Sequence, residues 1–267
     1  MVPMNISSLI SSFYNQVIKI AKKHEYTGKH DTDKTTIYEY SEKHIEKRTK
    51  QKAQHVEKLR NDISKLRKEY KKDLNSDDKD TFQVALAVAL IDETCERIGN
   101  AESAGTGHFG VTGWKKKHIN FSNGKININY VGKSGVKQKK TVEDKTIIKA
   151  LKKLWKEAEN GNSEIFTAGK IAVKINAYLK PFGITAKDIR GFHANDIMVQ
   201  CLKDARKGKL PSDEKEKAKK LKEEFNEALE ETAKLVGHES ATLRRQYLVP
   251  GLVDNFLEDG TIAKKFS

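Results

Sequence analysis

One stretch near the carboxyl end indicates the fold of this chain: Val236-Gly237-His238-Glu239-Ser240-Ala241-Thr242-Leu243-Arg244-Arg245-Gln246-Tyr247. A histidine follows a glycine turn, and a tyrosine comes nine residues later. The tyrosine is a candidate nucleophile. A phenol, whose ordinary pKa is near ~10, attacks a phosphodiester only where cations stabilise the phenolate and the added charge on phosphorus. The stretch therefore predicts that basic side chains from elsewhere in the chain complete a site.

Three basic residues upstream stand in settings that indicate fixed positions. They are Arg97 in Glu96-Arg97-Ile98-Gly99-Asn100, Lys133 in Val131-Gly132-Lys133-Ser134-Gly135, and Arg190 in Lys187-Asp188-Ile189-Arg190. Together with His238 and Tyr247, and in this order, they resemble the active site of type IB DNA topoisomerases. The segment 110–119, which ends in Lys117-His118-Ile119, resembles the hairpin of that family, and 126–135 resembles the strand and turn that carry its lysine. The resemblance covers residues 36–256.

The resemblance implies a function and a role for each residue. Tyr247 attacks a DNA phosphate and leaves a 3′-phosphotyrosyl bond and a free 5′-hydroxyl, while Lys133 protonates the leaving oxygen. Arg97, Arg190 and His238 stabilise the phosphate. Supercoiled DNA is relaxed in this way without ATP, metal or any other cofactor. The residues expected to bind DNA are Lys117, His118, Lys187, Arg244 and Arg245.

Each of these residues also has a structural alternative. Tyr247 is interpreted instead as a tyrosine packed at a helix end, His238 as a capping histidine, and the two arginines as partners of Glu96 and Asp188. Lys133 is otherwise an ordinary turn lysine; a Walker A loop is excluded because position 127 is Asn rather than glycine. The glycine-rich segment 105–110 is either a hairpin connection or a phosphate nest.

Two rival functions stay open at this point. A tyrosine recombinase uses the same first step, but that class usually carries histidine where this chain has Lys187, and topoisomerases of this type usually carry lysine there. A DNA-binding protein that has lost catalysis is the second rival. The chain departs from the topoisomerase pattern at Gly191, where threonine is usual, and the amino-terminal clamp domain of complete enzymes has no evident counterpart.

Composition limits the partner and the compartment. The 267 residues carry a formal net charge of +14. This favours double-stranded DNA, because each phosphate contact releases a counterion; a merely lysine-rich solvated surface is the alternative. The sequence contains no uninterrupted stretch of about 18 apolar residues, so it predicts no membrane span. Cys95 and Cys201 lie too far apart for zinc-ligand spacing. We expect an intracellular, DNA-associated monomer.

The hydrophobic patterns predict a mainly α-helical fold with a small three-stranded antiparallel β-sheet, the architecture of a DNA breaking-rejoining catalytic core. A basic helical segment, 1–75, is expected to precede a catalytic domain, 76–267. Expected helices cover 5–22, 38–74, 82–95, 146–159, 170–180, 188–203 and 214–236, and residues 24–38 are expected to form a loop. Within the catalytic domain we expect the β-hairpin region at 105–142, a Lys/Glu-rich helix at 212–236 and the nucleophile segment at 237–256.

Overall fold

The computed structural model describes residues 26–31 and 36–263, with side chains from Tyr40 onward except at Ser134. The α-helices are α1 Glu42–Asp73, α2 Lys79–Thr94, α3 Ala101–Gly105, α4 Lys145–Glu157, α5 Ile171–Leu179, α6 Ala186–Ala205, α7 Glu214–Val236, α8 Ser240–Gln246 and α9 Pro250–Asp259. The strands are β1 Tyr26–Asp31, β2 Thr36–Tyr40, β3 Ile119–Ser122, β4 Lys125–Val131 and β5 Lys137–Val142. Short 3-10 turns occupy Val111–Gly113, Lys116–His118, Lys133–Gly135 and Lys180–Phe182.

The predicted fold class is confirmed. Helices dominate, and β3, β4 and β5 form a three-stranded antiparallel sheet in sequence order. The turn between β3 and β4 is the predicted Asn-Gly hairpin: Asn123 and Gly124 both have positive φ, at 50° and 74°. Such a pair matches the twist of the flanking strands, so a local sequence signal fixes the register of this hairpin.

The amino-terminal part contains one correction. Residues 24–38 were expected to form a loop, but β1 and β2 pair antiparallel, with Asp31 opposite Thr36 and Tyr26 opposite Tyr40. The segment 24–38 is polar overall, but it contains Thr36, Ile37 and Tyr38, and β-branched and aromatic residues of this kind favour a strand. The helix expected over 5–22 lies outside the described residues.

The chain divides into two units, 1–53 and 54–267. The expected division at residue 75 stays a prediction. In the second unit α2 is the central helix: residues Phe82 to Asp92 are all buried, and the helix packs against α4, α5, α6 and β5. A helix that is apolar on every side needs partners all round it, and this one has them.

Helices α6 and α7 pack against each other along one face, and α8 and α9 pack on α7. The Lys/Glu-rich helix α7 begins and ends where the sequence predicted. Asp213 accepts hydrogen bonds from the first turn, and Gly237, with φ 71°, ends the helix. Within the described residues no helix is both long and apolar enough to cross a membrane.

Candidate active site

Arg190 lies at the centre of the site, on α6, where it is almost fully buried. Its Nε donates to the carbonyl of Cys95, its Nη2 to the carbonyl of Val236 at 3.4 Å, and its Nη1 to the hydroxyl of Tyr247 at 3.1 Å. The first bond reaches the end of α2 and the second the end of α7. One guanidinium therefore joins three parts of the chain and directs an N–H at the candidate nucleophile.

Arg97 lies just beyond α2, where the chain leaves the helix through Cys95 in the left-handed conformation, with φ 58°. The carbonyl of Arg97 accepts a 2.8 Å bond from the amide of Val111. A side chain at Gly110 would meet that carbonyl at 2.6 Å, so only glycine permits the close approach. The segment that carries Arg97 is thereby fixed against the chain that leads to the sheet.

His238 contacts two of the other candidate residues. Its Nδ1 lies 3.2 Å from Nη2 of Arg97, and its ring centroid lies 4.7 Å from that of Tyr247. Burial and then the charges of Arg190 and Arg97 lower the pKa of His238 to about 3, so the ring is neutral near pH 7. An arginine N–H can only donate, which makes Nδ1 the acceptor and leaves the proton on Nε2.

Nε2 of His238 is buried and has no hydrogen-bond partner among the described residues. A buried N–H without a partner costs free energy. Neutral His238 can therefore donate a hydrogen bond from Nε2 to an acceptor that comes within reach of it.

Tyr247 closes α8, and its side chain is buried. It lines a cleft of about 420 Å³ together with Arg97, Lys133, Lys187, Arg190, Gln246 and residues from 98–109 and Ala186. The charged lining residues are all basic. Nζ of Lys187 lies 5.7 Å from the Tyr247 ring centroid, and Cζ of Arg190 lies 5.5 Å from it. Cations thus surround the phenol, as its use as a nucleophile requires.

Lys133 is exposed on the turn between β4 and β5. The amide of Gly132 donates to the carbonyl of Val136 at 2.8 Å and closes that turn. Lys133 lines the same cleft as Arg97 and Tyr247. The structure therefore brings all five predicted catalytic residues together, four through direct contacts and Lys133 through the shared cleft.

Asn195 is a residue of the site that the sequence did not indicate. It is fully buried on α6, and its Nδ2 donates to the carbonyls of Gly191 at 2.7 Å and Tyr247 at 2.9 Å. Its Oδ1 accepts from the amide of Val249 at 3.0 Å. One amide thus holds the backbone on both sides of Leu248. In the sequence Asn195 is marked only by its place five residues after Arg190. That spacing does not indicate a role until the contacts with Tyr247 and Val249 are known.

A buried carboxylate joins the helices behind the site. Asp92 on α2 accepts from Nε of Arg67 at 2.8 Å, from the Tyr70 hydroxyl at 2.9 Å, and lies 2.7 Å from Nε2 of His193 on α6. Burial raises the pKa of Asp92, but the hydrogen bonds from His193 and Arg67 outweigh it and hold the pKa at about 2. Asp92 is therefore charged at neutral pH, and it ties α1, α2 and α6 together.

The residues predicted to bind DNA lie in different environments. Arg244 and Arg245 are exposed on α8, and Lys117 is exposed and donates to Asn162 at 2.8 Å. His118 is buried: its Nδ1 accepts from the amide of Lys115, and its ring packs on Phe109. The structure gives His118 a packing role. Its contact with DNA, like those of the other four residues, stays a prediction.

Gly191, the departure from the expected threonine, faces the ring of Tyr247. A Cβ at this position would lie 3.9 Å from Cδ1 of Tyr247, an ordinary van der Waals contact. The glycine therefore leaves slightly more room beside the ring but does not open a gap that changes its position.

Across the part of the chain with assigned structure, no cluster of three or more His, Cys, Asp or Glu residues is arranged to hold a metal ion.

The fold is therefore a mainly α-helical domain with a three-stranded sheet, and its site gathers basic side chains around a buried tyrosine. A family model described as the catalytic core of eukaryotic DNA topoisomerase I matches residues 41–249, which is more than half of the chain. The chain belongs to this topoisomerase I family.

Known relatives agree with that assignment. DNA topoisomerase 1B of Acanthamoeba polyphaga mimivirus is 26% identical over 228 residues, which are 79% of this chain and 66% of the relative. DNA topoisomerase 1 beta of Arabidopsis thaliana is 28% identical over 171 residues, 61% of this chain and 18% of the relative. The chain thus spans just under two thirds of the viral relative and less than a fifth of the plant one.

Solved structures of the XerH site-specific recombinase are also similar. The pre-cleavage complex with difH has a TM-score of 0.42 at 13% identity and covers 89% of this chain and 59% of that chain. The post-cleavage complex with palindromic difH has a TM-score of 0.45 at 14% identity, with 92% and 61% covered.

Proposed function

We propose that this chain is a type IB DNA topoisomerase that relaxes supercoiled double-stranded DNA through a transient single-strand break. Tyr247 releases its phenol proton to solvent, its oxygen forms a bond to a backbone phosphorus, and the bond from phosphorus to the 5′-oxygen breaks. Lys133 donates a proton to that oxygen, so a 3′-phosphotyrosyl link and a 5′-hydroxyl result. The duplex swivels, and the 5′-hydroxyl then attacks the link, returns its proton to Lys133 and displaces the Tyr247 oxygen, which regains a proton from solvent.

The observation that carries this proposal is the arrangement around Tyr247. Arg190 donates to its hydroxyl, and the N–H of His238, which has no partner within the described part of the chain, lies beside its ring. Arg97 lines the same cleft and hydrogen-bonds His238. A pentacoordinate phosphorus carries more charge than the ground-state diester. Donors that are held in place before the reaction stabilise that charge without reorganisation.

The phosphotyrosyl bond conserves the free energy of the phosphodiester bond that it replaces, so the proposed reaction needs neither ATP nor a metal ion. Both half-reactions use the same three groups. These are Tyr247 hydrogen-bonded to Arg190, His238 as a neutral donor, and Lys133 as the acid. The charge of +14 supports DNA as the partner.

How the chain holds DNA is a separate proposal. We propose that the described part of the chain contacts DNA from the side of the basic cleft that Arg97, Lys187, Arg190 and Tyr247 line. Relaxation is then distributive, and affinity falls steeply with salt, by about 10³ between ~50 and ~200 mM if six phosphate contacts form. At one enzyme per ten plasmids, all plasmids shift gradually. Fully relaxed plasmids beside untouched ones would show instead that the chain or a partner closes round DNA.

Relaxation of supercoiled plasmid in EDTA without ATP tests the activity. We expect a ladder of topoisomers and, after denaturation, a covalent protein-DNA adduct. Tyr247→Phe should abolish both while noncovalent DNA binding stays within a few-fold, because the deleted oxygen carries chemistry rather than phosphate positioning. The matched control is Tyr178→Phe, which removes a hydroxyl that donates to Asp73 outside the cleft, and it should relax plasmid normally.

The result also separates the rival functions. Adducts whose strands rejoin mainly to a second duplex would indicate a recombinase, and tight binding without any adduct would indicate a DNA-binding protein that lacks catalysis. Adducts formed by the Tyr247→Phe variant would overturn the assignment of the nucleophile.

A further inference from the structure

The strand β5 connects the turn that carries Lys133 to the end of the helix that precedes His238. Gln138 and Lys140 lie on the same, inward face of β5. Nε2 of Gln138 donates to the carbonyl of Gly237 at 3.3 Å, and Nζ of Lys140 donates to the carbonyl of Leu235 at 2.7 Å. These two bonds hold the carboxyl end of α7, where backbone carbonyls have no partner within the helix.

The side chain of Gln138 is buried between two glycines. A Cβ on Gly132 would lie 3.1 Å from its Cγ, and a Cβ on Gly237 would lie 2.1 Å from its Oε1. Any other residue at Gly237 would displace the amide, and Gly237 also has a positive φ that disfavours side chains. Gly132 directly precedes Lys133, and Gly237 directly precedes His238.

Lys140 extends the same connection to Arg97. Its Nζ lies 3.4 Å from Oε1 of Glu96, both side chains are largely buried, and Oε2 of Glu96 accepts from the amide of Arg97 at 3.4 Å. Removing either charge would leave the other buried and unpaired, a destabilising change. Gln138 is neutral, so its substitution tests the connection without that complication.

We infer that Gln138 is a positioning residue that fixes the turn carrying Lys133 relative to His238 and the cleft. The inference rests on the proposed function of Lys133 as the acid. Lysine has a long, flexible side chain, and Lys133 is exposed, so its reach depends on where its backbone is held. An error of about 1 Å in the position of a reacting group can slow a reaction by up to ~10²-fold.

The test compares single-turnover cleavage of two DNA substrates, one with an ordinary 5′-oxygen at the cleavage site and one with a bridging 5′-sulfur, which leaves without a proton. We expect Gln138→Ala to slow cleavage of the oxygen substrate by about 10-fold, a part of the ~10²–10⁴-fold that a positioned acid contributes. The sulfur substrate should lose less than about 3-fold, because it does not need the acid.

A double variant tests whether Gln138 acts through Lys133. In a Lys133→Ala background, Gln138→Ala should slow the oxygen substrate by less than about 2-fold, because the interaction that it supports is already absent. Thr141→Ala is the matched control, since Thr141 lies on the outward face of β5 and its hydroxyl donates to Asn127 on the neighbouring strand. It should leave both substrates within about 2-fold.

Gln138→Met keeps the buried volume between the two glycines and removes the amide donor, so it is the second variant if Gln138→Ala does not fold. The same difference between the two substrates is expected from it. Equal losses on both substrates, no loss, or full additivity with Lys133→Ala in a folded variant would overturn the inference. Absence of any adduct in the unsubstituted protein would instead overturn the proposed function, and this inference with it.

Discussion

The Nη1 of Arg190 donates a 3.1 Å hydrogen bond to the hydroxyl of Tyr247. The bond is made by a side chain whose other N–H groups are directed at the carbonyls of Cys95 and Val236. The candidate nucleophile is therefore paired with a cation whose orientation is fixed by the backbone of two helix ends. The hydrogen bond between Arg190 and Tyr247 is the basis for the effects that we expect from substitutions around it.

Replacing Arg190 with lysine should slow cleavage by about 10² or more on both the oxygen and the sulfur substrate, because an ammonium lacks the planar fork that serves all three partners. Arg206→Lys is the matched control, since Arg206 pairs with Glu224 on α7 at 3.3 Å and does not line the cleft. It should change the rate by only a few-fold. Single-turnover adduct formation measures both, and a normal rate for Arg190→Lys would contradict the proposed role.

Replacing Lys133 with alanine should slow the oxygen substrate by about 10² or more and largely spare the sulfur substrate, because only the first needs a proton on its leaving group. Lys139→Ala removes a charge from the exposed face of the adjoining strand and controls for weaker DNA binding. Similar losses on both substrates at saturating enzyme would make Lys133 a structural residue.

Replacing Asn195 with alanine should destabilise the fold by about 2–4 kcal/mol, because the buried amide of Val249 and carbonyl of Tyr247 lose their partner. Adduct formation should also slow while noncovalent DNA affinity stays the same. Asn176→Ala is the control, since Asn176 also bonds two backbone groups, the carbonyl of Ala172 and the amide of Ala186, but is exposed. Urea unfolding gives the stabilities, and equal losses for the two variants would count against the special position of Asn195.

Replacing Asp92 with asparagine should lower stability by about 2–4 kcal/mol, because one buried group accepts from Arg67 and Tyr70 and pairs with His193. The comparison is Asp196→Asn. Asp196 pairs with Arg60, but their side chains are 37% and 31% exposed, so the loss should stay below about 1 kcal/mol. Denaturant midpoints of the two variants measure the difference, and the reverse order would contradict it.

His238 should make stability depend on pH. Its folded pKa of about 3 lies below the ordinary value of 6.5, so between these two pH values the unfolded chain binds the proton and the folded chain does not. Stability is therefore lost as pH falls through this window, by up to about 1.4 kcal/mol per pH unit for one proton. His238→Gln cannot bind that proton, so its stability should fall less steeply from about pH 6 to about pH 4. Parallel curves for the two proteins would show that His238 is not buried as a neutral ring.

The sequence by itself determined the features that depend on neighbouring residues. Asp213 and Gly237 mark both ends of α7, and Asn123-Gly124 forms the predicted hairpin turn, because caps and tight turns are set by the side chains and φ values of a few adjacent positions. The five candidate catalytic residues were also found in the sequence, through the order and local context that they share with a known family. Their catalytic roles stay predictions.

Tertiary structure alone decided how those residues are held. Asn195 meets the backbone around Leu248, Gln138 meets Gly237, and Asp92 meets Arg67 and His193, all across long separations in the chain. A buried amide or carboxylate has no local pattern that names its partner, because the partner is selected by the packing of helices and strands. The same packing keeps the ring of His238 neutral and leaves its proton on Nε2, which composition and spacing do not encode.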